Sequence, residues 1–197
     1  MRRRELLNTS SGGIDPTTGR GTIGDYEVVD LGLSNGLLFA TCNVGANSET
    51  GYGNYYMYGK GSRAYHTFDS VYTGTENPLA SSADTATQVM GSGWRMPTKD
   101  EIQDLINKTN YSWTTINGIK GGKFTSKTNP NAYVFFPAAG DYYDGSLNGN
   151  GSYGGVWSSM PQGSDSAYYL NFYSGDKSVY GSDRGSGLSV RGVHAAV

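Results

Sequence analysis

The chain has 197 residues, 36% of them hydrophobic, with 30 glycines, 16 tyrosines and a formal charge of −2 from 15 basic and 17 acidic side chains. That length suits one domain with a short appendage, and the near-balanced charge excludes the basic face that nucleic-acid binding needs. A single cysteine excludes an internal disulfide framework, and no apolar run reaches the roughly 18 residues of a membrane span.

Residues 1–24 read as an extended attachment tail. Arg2, Arg3 and Arg4 precede a polar stretch from Asn8 to Gly21 that has little to bury. Three arginines beside Glu5 are too few for a nucleic-acid arm, and no apolar h-region follows them, so the start does not read as a secretory signal. The compact domain is expected over residues 25–197. Tyr26 to Leu31 reads as a strand, Ser34-Asn35-Gly36 as a turn, and Leu37 to Val44 as a second strand. Cys42 lies in that apolar run and reads as a buried, inert thiol rather than a nucleophile. Tyr52 to Tyr58 fits a strand or an aromatic loop, and residues 59–90, without periodicity, read as a long surface excursion.

The spacing predicts a helix over about 98–108. Thr98 suits an N-cap, Glu101 completes a capping box, and Ile102, Leu105 and Ile106 make one apolar face. Asn117-Gly118 is a two-residue hairpin signal between the strands 113–116 and 119–125. Tyr133 to Phe136 is a further strand, halted by Pro137. Asp144-Gly145 and the run Asn148 to Gly155 read as a glycine-rich loop before a strand at Trp157. Trp94, Trp113 and Trp157 read as core. No repeat of 20–50 residues is visible. Short antiparallel strands, one helix and long loops together indicate an α+β domain.

Of the 30 residues from Ser158 to Gly187, 21 are Asn, Asp, Ser, Gly or Tyr, a composition that suits adaptable recognition loops as well as plain ones. Tyrosine brings rigid amphipathic area and the small polar residues bring adaptable hydrogen bonding. Along Tyr168 to Tyr173, strand alternation sends Leu170 and Phe172 to the core and Tyr169, Asn171 and Tyr173 outward. These three, with Tyr180, Asp183, Arg184 and Ser189, form the expected ligand-binding face, extended by Tyr142, Tyr143 and Tyr153. Arg95 and Arg191 read as structural hydrogen-bonders. No catalytic residue is assigned: His66 and His194 lie in no triad or metal motif, and Gly149 to Gly154 spells GxGxxG with no helix after it to hold an anion. Asp141, Asp144, Asp165, Asp176 and Asp183 read as a solvated acidic rim, and neither metal nor cofactor is expected.

Six motifs in order then resemble a known family: YEVVDLGLSNGLLFATCNVGA (residues 26–46), GWRMPTKDE (93–101), WTTING (113–118), FFPAAG (135–140), VWSS (156–159) and LSVRGV (188–193). Over about residues 25–194 the chain is similar to the Fibrobacter succinogenes major paralogous domain, a family of gut Bacteroidetes and their phages. That resemblance implies a C-type-lectin-like fold, of the kind found in formylglycine-generating enzymes and in the variable proteins of diversity-generating retroelements. Retroelement diversification scatters Asn, Asp, Ser, Gly and Tyr over a fixed scaffold, as in residues 158–187, although Lys177, Met160 and Gln162 depart from the pattern. Cys42 lacks the second cysteine of the formylglycine-generating branch, and Trp157-Ser158-Ser159 replaces the Trp-Asn-Asp strand of calcium-dependent lectins. The start Met1-Arg2-Arg3-Arg4-Glu5-Leu6 is similar to starts of Bacteroides phage proteins. The resemblance thus implies a non-enzymatic virion-surface protein that recognises a bacterial cell-surface glycan or protein. Its tail would join other virion proteins, with no nucleic acid, no membrane insertion, and a homo-oligomer left open. The alternatives are a structural capsid- or tail-decoration protein and, more distantly, a bacterial surface protein or an inactive formylglycine-generating relative.

Overall fold

A computed structural model describes residues 13–65 and 69–196. The expectations for residues 1–12 of the tail and for His66 lie outside the described residues.

The chain is mostly antiparallel sheet with two helices among the described residues. It begins with β1 (Arg20–Ile23), β2 (Tyr26–Asp30) and β3 (Leu37–Ala40). Strand β1 pairs with β2 over its whole length, and the Asn129 and Asn131 side chains donate to the Pro16 and Thr17 carbonyls. The domain therefore starts earlier than the residue-25 boundary, because Arg20 to Ile23 complete a sheet edge. Helix α1 (Thr85–Met90) and the short β4 (Trp94–Arg95) follow. Helix α1 corrects part of the surface excursion expected over 59–90: Leu79, Ala83 and Ala86 are buried. Six residues are too few to display a helical period, and only Asp84, which caps Thr87 N–H, marks its start.

Helix α2 (Lys99–Lys108) forms as its sequence dictates. The Thr98 hydroxyl accepts from Glu101 N–H, the Glu101 carboxylate accepts from Thr98 N–H, and Ile102 and Leu105 are buried. Next come β5 (Thr109–Ile116), β6 (Ile119–Ser126) and β7 (Tyr133–Pro137). Asn117 and Gly118 both have positive φ, 49° and 82°, as a tight hairpin turn requires, and they set the register at Ile116 opposite Ile119. The expected loop after Pro137 contains a second such hairpin, β8 (Asp141–Tyr143) and β9 (Ser146–Asn148), turning on Asp144-Gly145. The chain ends with β10 (Tyr153–Gln162), β11 (Ser166–Tyr173), β12 (Lys177–Asp183) and β13 (Val193–Ala195).

The last strand, β13, inserts between β3 and β4 to close a five-stranded sheet of order β1-β2-β3-β13-β4. Two three-stranded meanders, β5-β6-β7 and β10-β11-β12, stand beside it. The first core gathers Val29, Phe39, Ile102, Leu105, Phe124, Phe136, Val156, Leu170 and Phe172. The Phe172 ring lies over the backbones of Gly122 and Gly154, where an added Cβ would collide with it. The second core holds Tyr56, Tyr58, Met96, Trp157, Ala167, Leu188 and Val190. The β10-β11-β12 sheet therefore buries one face in the first core. Its other face meets the second core only at the Trp157 end, and the opposite end is left uncovered.

Candidate functional site

The uncovered end follows directly from strand register. Tyr153 lies opposite Tyr173, Gly155 opposite Asn171, and Trp157 opposite Tyr169, so Tyr153, Tyr169, Asn171 and Tyr173 share one face. With Asp141 and Ser152 they line an open cleft of about 490 Å³, within the range of small-molecule sites. Gly155, without a side chain, lets Leu188 and the Tyr169 ring close over its backbone. The isolated bridge between Gly140 and Gly154 brings the start of β8 alongside β10. It sets Asp141 next to Tyr153, whose hydroxyl donates to Asp141 Oδ1.

The polar equipment of the cleft is largely unspent. Among the described residues, the Asn171 amide, the Ser152 hydroxyl and the Tyr169 and Tyr173 hydroxyls have no protein side-chain hydrogen-bond partner in the cleft. Burial raises the Tyr153 and Tyr169 phenols above their ordinary range, with the nearby Asp141 carboxylate adding to both shifts. Both therefore remain neutral O–H donors at physiological pH. No lysine or arginine lines the cleft.

Of the ten residues expected at the binding face, the structure gathers Tyr153, Tyr169, Asn171 and Tyr173 in this cleft. Tyr180 lies on the same face, directly across from Tyr169 on β12, and is 51% exposed. Asp183, at the end of β12, is exposed and its carboxylate caps Gly185 N–H. Tyr143 is exposed on the β8–β9 hairpin, while Tyr142 packs against Tyr55 and Tyr65 at centroid distances of 4.9 and 5.1 Å. Two expectations are corrected. Arg184 is buried, its guanidinium donating to the carbonyls of Ser166, Tyr72, Gly74 and Gly163 at 2.8–3.1 Å. Ser189 is buried because its backbone bridges Gly155 and Trp157. Neither residue is available to a ligand. Asp141 and Ser152 were missed as lining residues; the only sequence signal was the acidic residue after the FFPAAG motif, which reads equally well as rim.

A larger cavity of about 720 Å³ lies between β2, β3 and the 43–49 loop, with Cys42 on its wall. Cys42 is half-buried rather than enclosed. Polar groups in this cavity already serve one another: Arg20 pairs with Glu27 at 3.1 Å and Glu49 at 3.0 Å, and the Thr41 hydroxyl donates to Glu27 at 2.9 Å. Groups so paired are worth less to a ligand than unpartnered ones. Among the described residues no three His, Cys, Asp or Glu side chains gather as a metal site, and no helix is long and apolar enough to cross a membrane.

The model of a domain of unknown function, DUF8237, matches residues 108–193. That stretch begins at the end of α2 and includes every residue lining the cleft. No curated protein and no solved structure matches the chain.

Proposed function

We propose that this protein is a non-enzymatic binding module of a phage virion surface, a C-type-lectin-like domain that recognises a bacterial cell-surface ligand. The observation that carries this reading is the convergence of Tyr153, Tyr169, Asn171 and Tyr173 in one open cleft, where the Tyr169, Asn171 and Tyr173 tips have no side-chain partner among the described residues and Tyr153 holds Asp141. The scaffold residues of the same motifs, Trp157 and Arg191, are wholly buried. Rigid tyrosines and small polar groups supply contact area at low entropic cost, and aromatic anchors dominate binding energy at interfaces. The six-motif resemblance supports both the lectin-like fold and the phage setting. The residues ahead of β1 would join the domain to other virion proteins, and many copies on one particle would raise avidity without new contacts.

The test is binding of the labelled full chain, clustered on a multivalent carrier, to gut Bacteroidales strains of defined capsule type. A Tyr173→Ala/Asn171→Ser variant that melts like the parent runs alongside. Strain-selective binding that the variant loses is the expected result. Uniform absence of binding by the folded protein would overturn the reading in favour of a decoration protein without a receptor.

A further inference from the structure

Resting on the binding reading above, we infer that the ligand of the Tyr153–Tyr173 cleft is a neutral or amine-bearing sugar of a glycan chain, bound without a metal ion, and that acidic sugars are excluded. Three features of the cleft point to this class.

The first is the pairing of apolar rings with polar tips. A pyranose has an apolar C–H face and a rim of hydroxyls, and each tyrosine offers a ring face beside a hydroxyl. Tyr153, Tyr169 and Tyr173 come from facing positions on β10 and β11, so their rings flank one space. The second is the type of unpartnered polar group. Asp141 Oδ2 is a pure acceptor, the Asn171 amide both donates and accepts, and the Ser152, Tyr169 and Tyr173 hydroxyls do either. Vicinal sugar hydroxyls, each donor and acceptor at once, satisfy such a mixture. A peptide segment would instead need a row of backbone partners, and the Tyr153–Tyr173 face presents side chains.

The third feature is charge. Asp141 brings a carboxylate to the cleft, and no lysine or arginine is there to balance it. Two lysines near this sheet are turned away: Lys177 Nζ sits over the Tyr111 ring at 5.5 Å and Lys99 Nζ over the Tyr168 ring at 4.4 Å, both on the opposite face of the sheet. A uronate, sialate or phosphate would meet the Asp141 carboxylate with no cation among the lining residues to offset it, whereas an amino sugar gains an ion pair with Asp141. One carboxylate is also far from the six to eight oxygen ligands that calcium takes.

The experiment uses the multivalent full chain on a printed array of neutral, amine-bearing and uronic-acid oligosaccharides, together with whole cells treated with periodate or with proteinase K. Binding is expected to neutral and amine-bearing members alone, and to be unchanged by EDTA. Tyr173→Ala should weaken it about tenfold, the loss of one good aromatic contact. Asp141→Asn removes the one carboxylate of the cleft, so the ratio of neutral to uronic-acid binding should fall whatever the change in overall affinity, and an unchanged ratio would overturn the charge argument. Cell binding should vanish with periodate and survive protease. Preference for acidic members, loss with EDTA, or cell binding that survives periodate and is lost to protease would overturn the sugar assignment. Each of these, where Tyr173→Ala weakens the binding seen, would leave receptor recognition standing. Absence of binding to both array and cells would overturn the two together.

Discussion

Arg191 donates to Asn43 Oδ1 from both Nε, at 3.1 Å, and Nη2, at 2.8 Å, joining residues 148 positions apart. The remaining donors reach the carbonyls of Ala40, Thr41 and Phe135, all at 3.0 Å, so each of the five N–H bonds has an acceptor. The guanidinium also lies 4.4 Å from the Phe136 ring centroid. Burial lowers its pKa, yet only the protonated fork can satisfy so many oxygen acceptors at once. This one side chain ties β3, β7 and the segment before β13 together, with no carboxylate among the described residues paired to it.

Arg191→Lys keeps a charge but cannot reproduce the fork, leaving Asn43 and at least one carbonyl unpaired. The expected loss is about 3–5 kcal/mol, the range for breaking a buried charged network. For a domain of this size that corresponds to a fall of roughly 10 °C in Tm. Asn43→Ala should cost less, about 2 kcal/mol, because three carbonyl acceptors remain. Calorimetry or a thermal melt by circular dichroism checks both. A lysine variant as stable as the parent would mean that the network contributes nothing.

Arg184 acts in the same way among other segments of the chain. Its guanidinium lies 5.4 Å from the Tyr58 ring centroid while fastening the Tyr72 and Gly74 carbonyls to the β10–β11 turn. Arg184→Ala should therefore cost about 3 kcal/mol and expose residues 69–79 to protease, while leaving the cleft intact. Limited proteolysis with site mapping, run beside ligand binding, separates these effects. Lost binding with unchanged proteolysis would return Arg184 to the recognition face.

Much of the framework was legible because local chemistry decides it. The Thr98–Glu101 capping box, the Asn117-Gly118 turn and the alternation through Tyr168–Tyr173 each depend on neighbours within a few residues, and each appears in the structure at the expected place. That alternation also explains why Tyr169, Asn171 and Tyr173 share a face, and Trp157, read as core, and Arg191, read as a structural hydrogen-bonder, are both buried. What was not legible depends on distant partners. An arginine within Asp183-Arg184-Gly185 reads as an exposed anchor; only the carbonyls of residues 72 and 74, more than a hundred positions away, reveal it as an internal tie. Asp141 enters the cleft only because Gly140 bridges Gly154, and the membership of Arg20 to Ile23 in the sheet is decided by β2 rather than by their own polar sequence.

The Arg95–Glu101 pair gives a pH-dependent handle on α2. Burial alone would push the Glu101 carboxyl up, but Arg95, donating from both terminal nitrogens at 2.7 and 2.6 Å, and the Thr98 N–H hold it below its ordinary value of 4.5. A depressed folded-state pKa stabilises above the unfolded value, and that contribution disappears as pH falls through the folded one. The parent should thus lose stability on acidification below about pH 4.5, while Glu101→Gln, less stable at neutral pH, should show a shallower acid limb. Urea midpoints measured across the acid range decide it; parallel limbs in the two proteins would show that Glu101 contributes nothing to acid sensitivity.

Tyrosines govern the alkaline side, and with it the behaviour of the cleft. Tyr55 is pushed up to about 12 by burial, then by Tyr142, Tyr52 and Asp141, and its hydroxyl donates to the Ala139 carbonyl at 2.6 Å. Tyr111 is also pushed up to about 12, by burial and then by Asp176, and donates to the Tyr173 carbonyl at 2.6 Å. Unfolded tyrosines ionise near pH ~10, so between about 10 and 12 the unfolded chain releases protons that the folded one retains. Stability must then fall with rising pH over that window. Tyr55→Phe/Tyr111→Phe should flatten the fall, and phenolate absorbance should report late-ionising tyrosines that titrate normally in urea. The Tyr153 and Tyr169 phenols are raised in the same direction, so the cleft keeps its hydroxyl donors throughout the neutral range. Ligand affinity between about pH 6 and 9 should accordingly be flat for a neutral sugar. An amine-bearing sugar should instead lose affinity toward the alkaline end, as its ammonium gives up the proton that pairs with Asp141. Equal pH profiles for the two ligands would argue that Asp141 does not meet the amine.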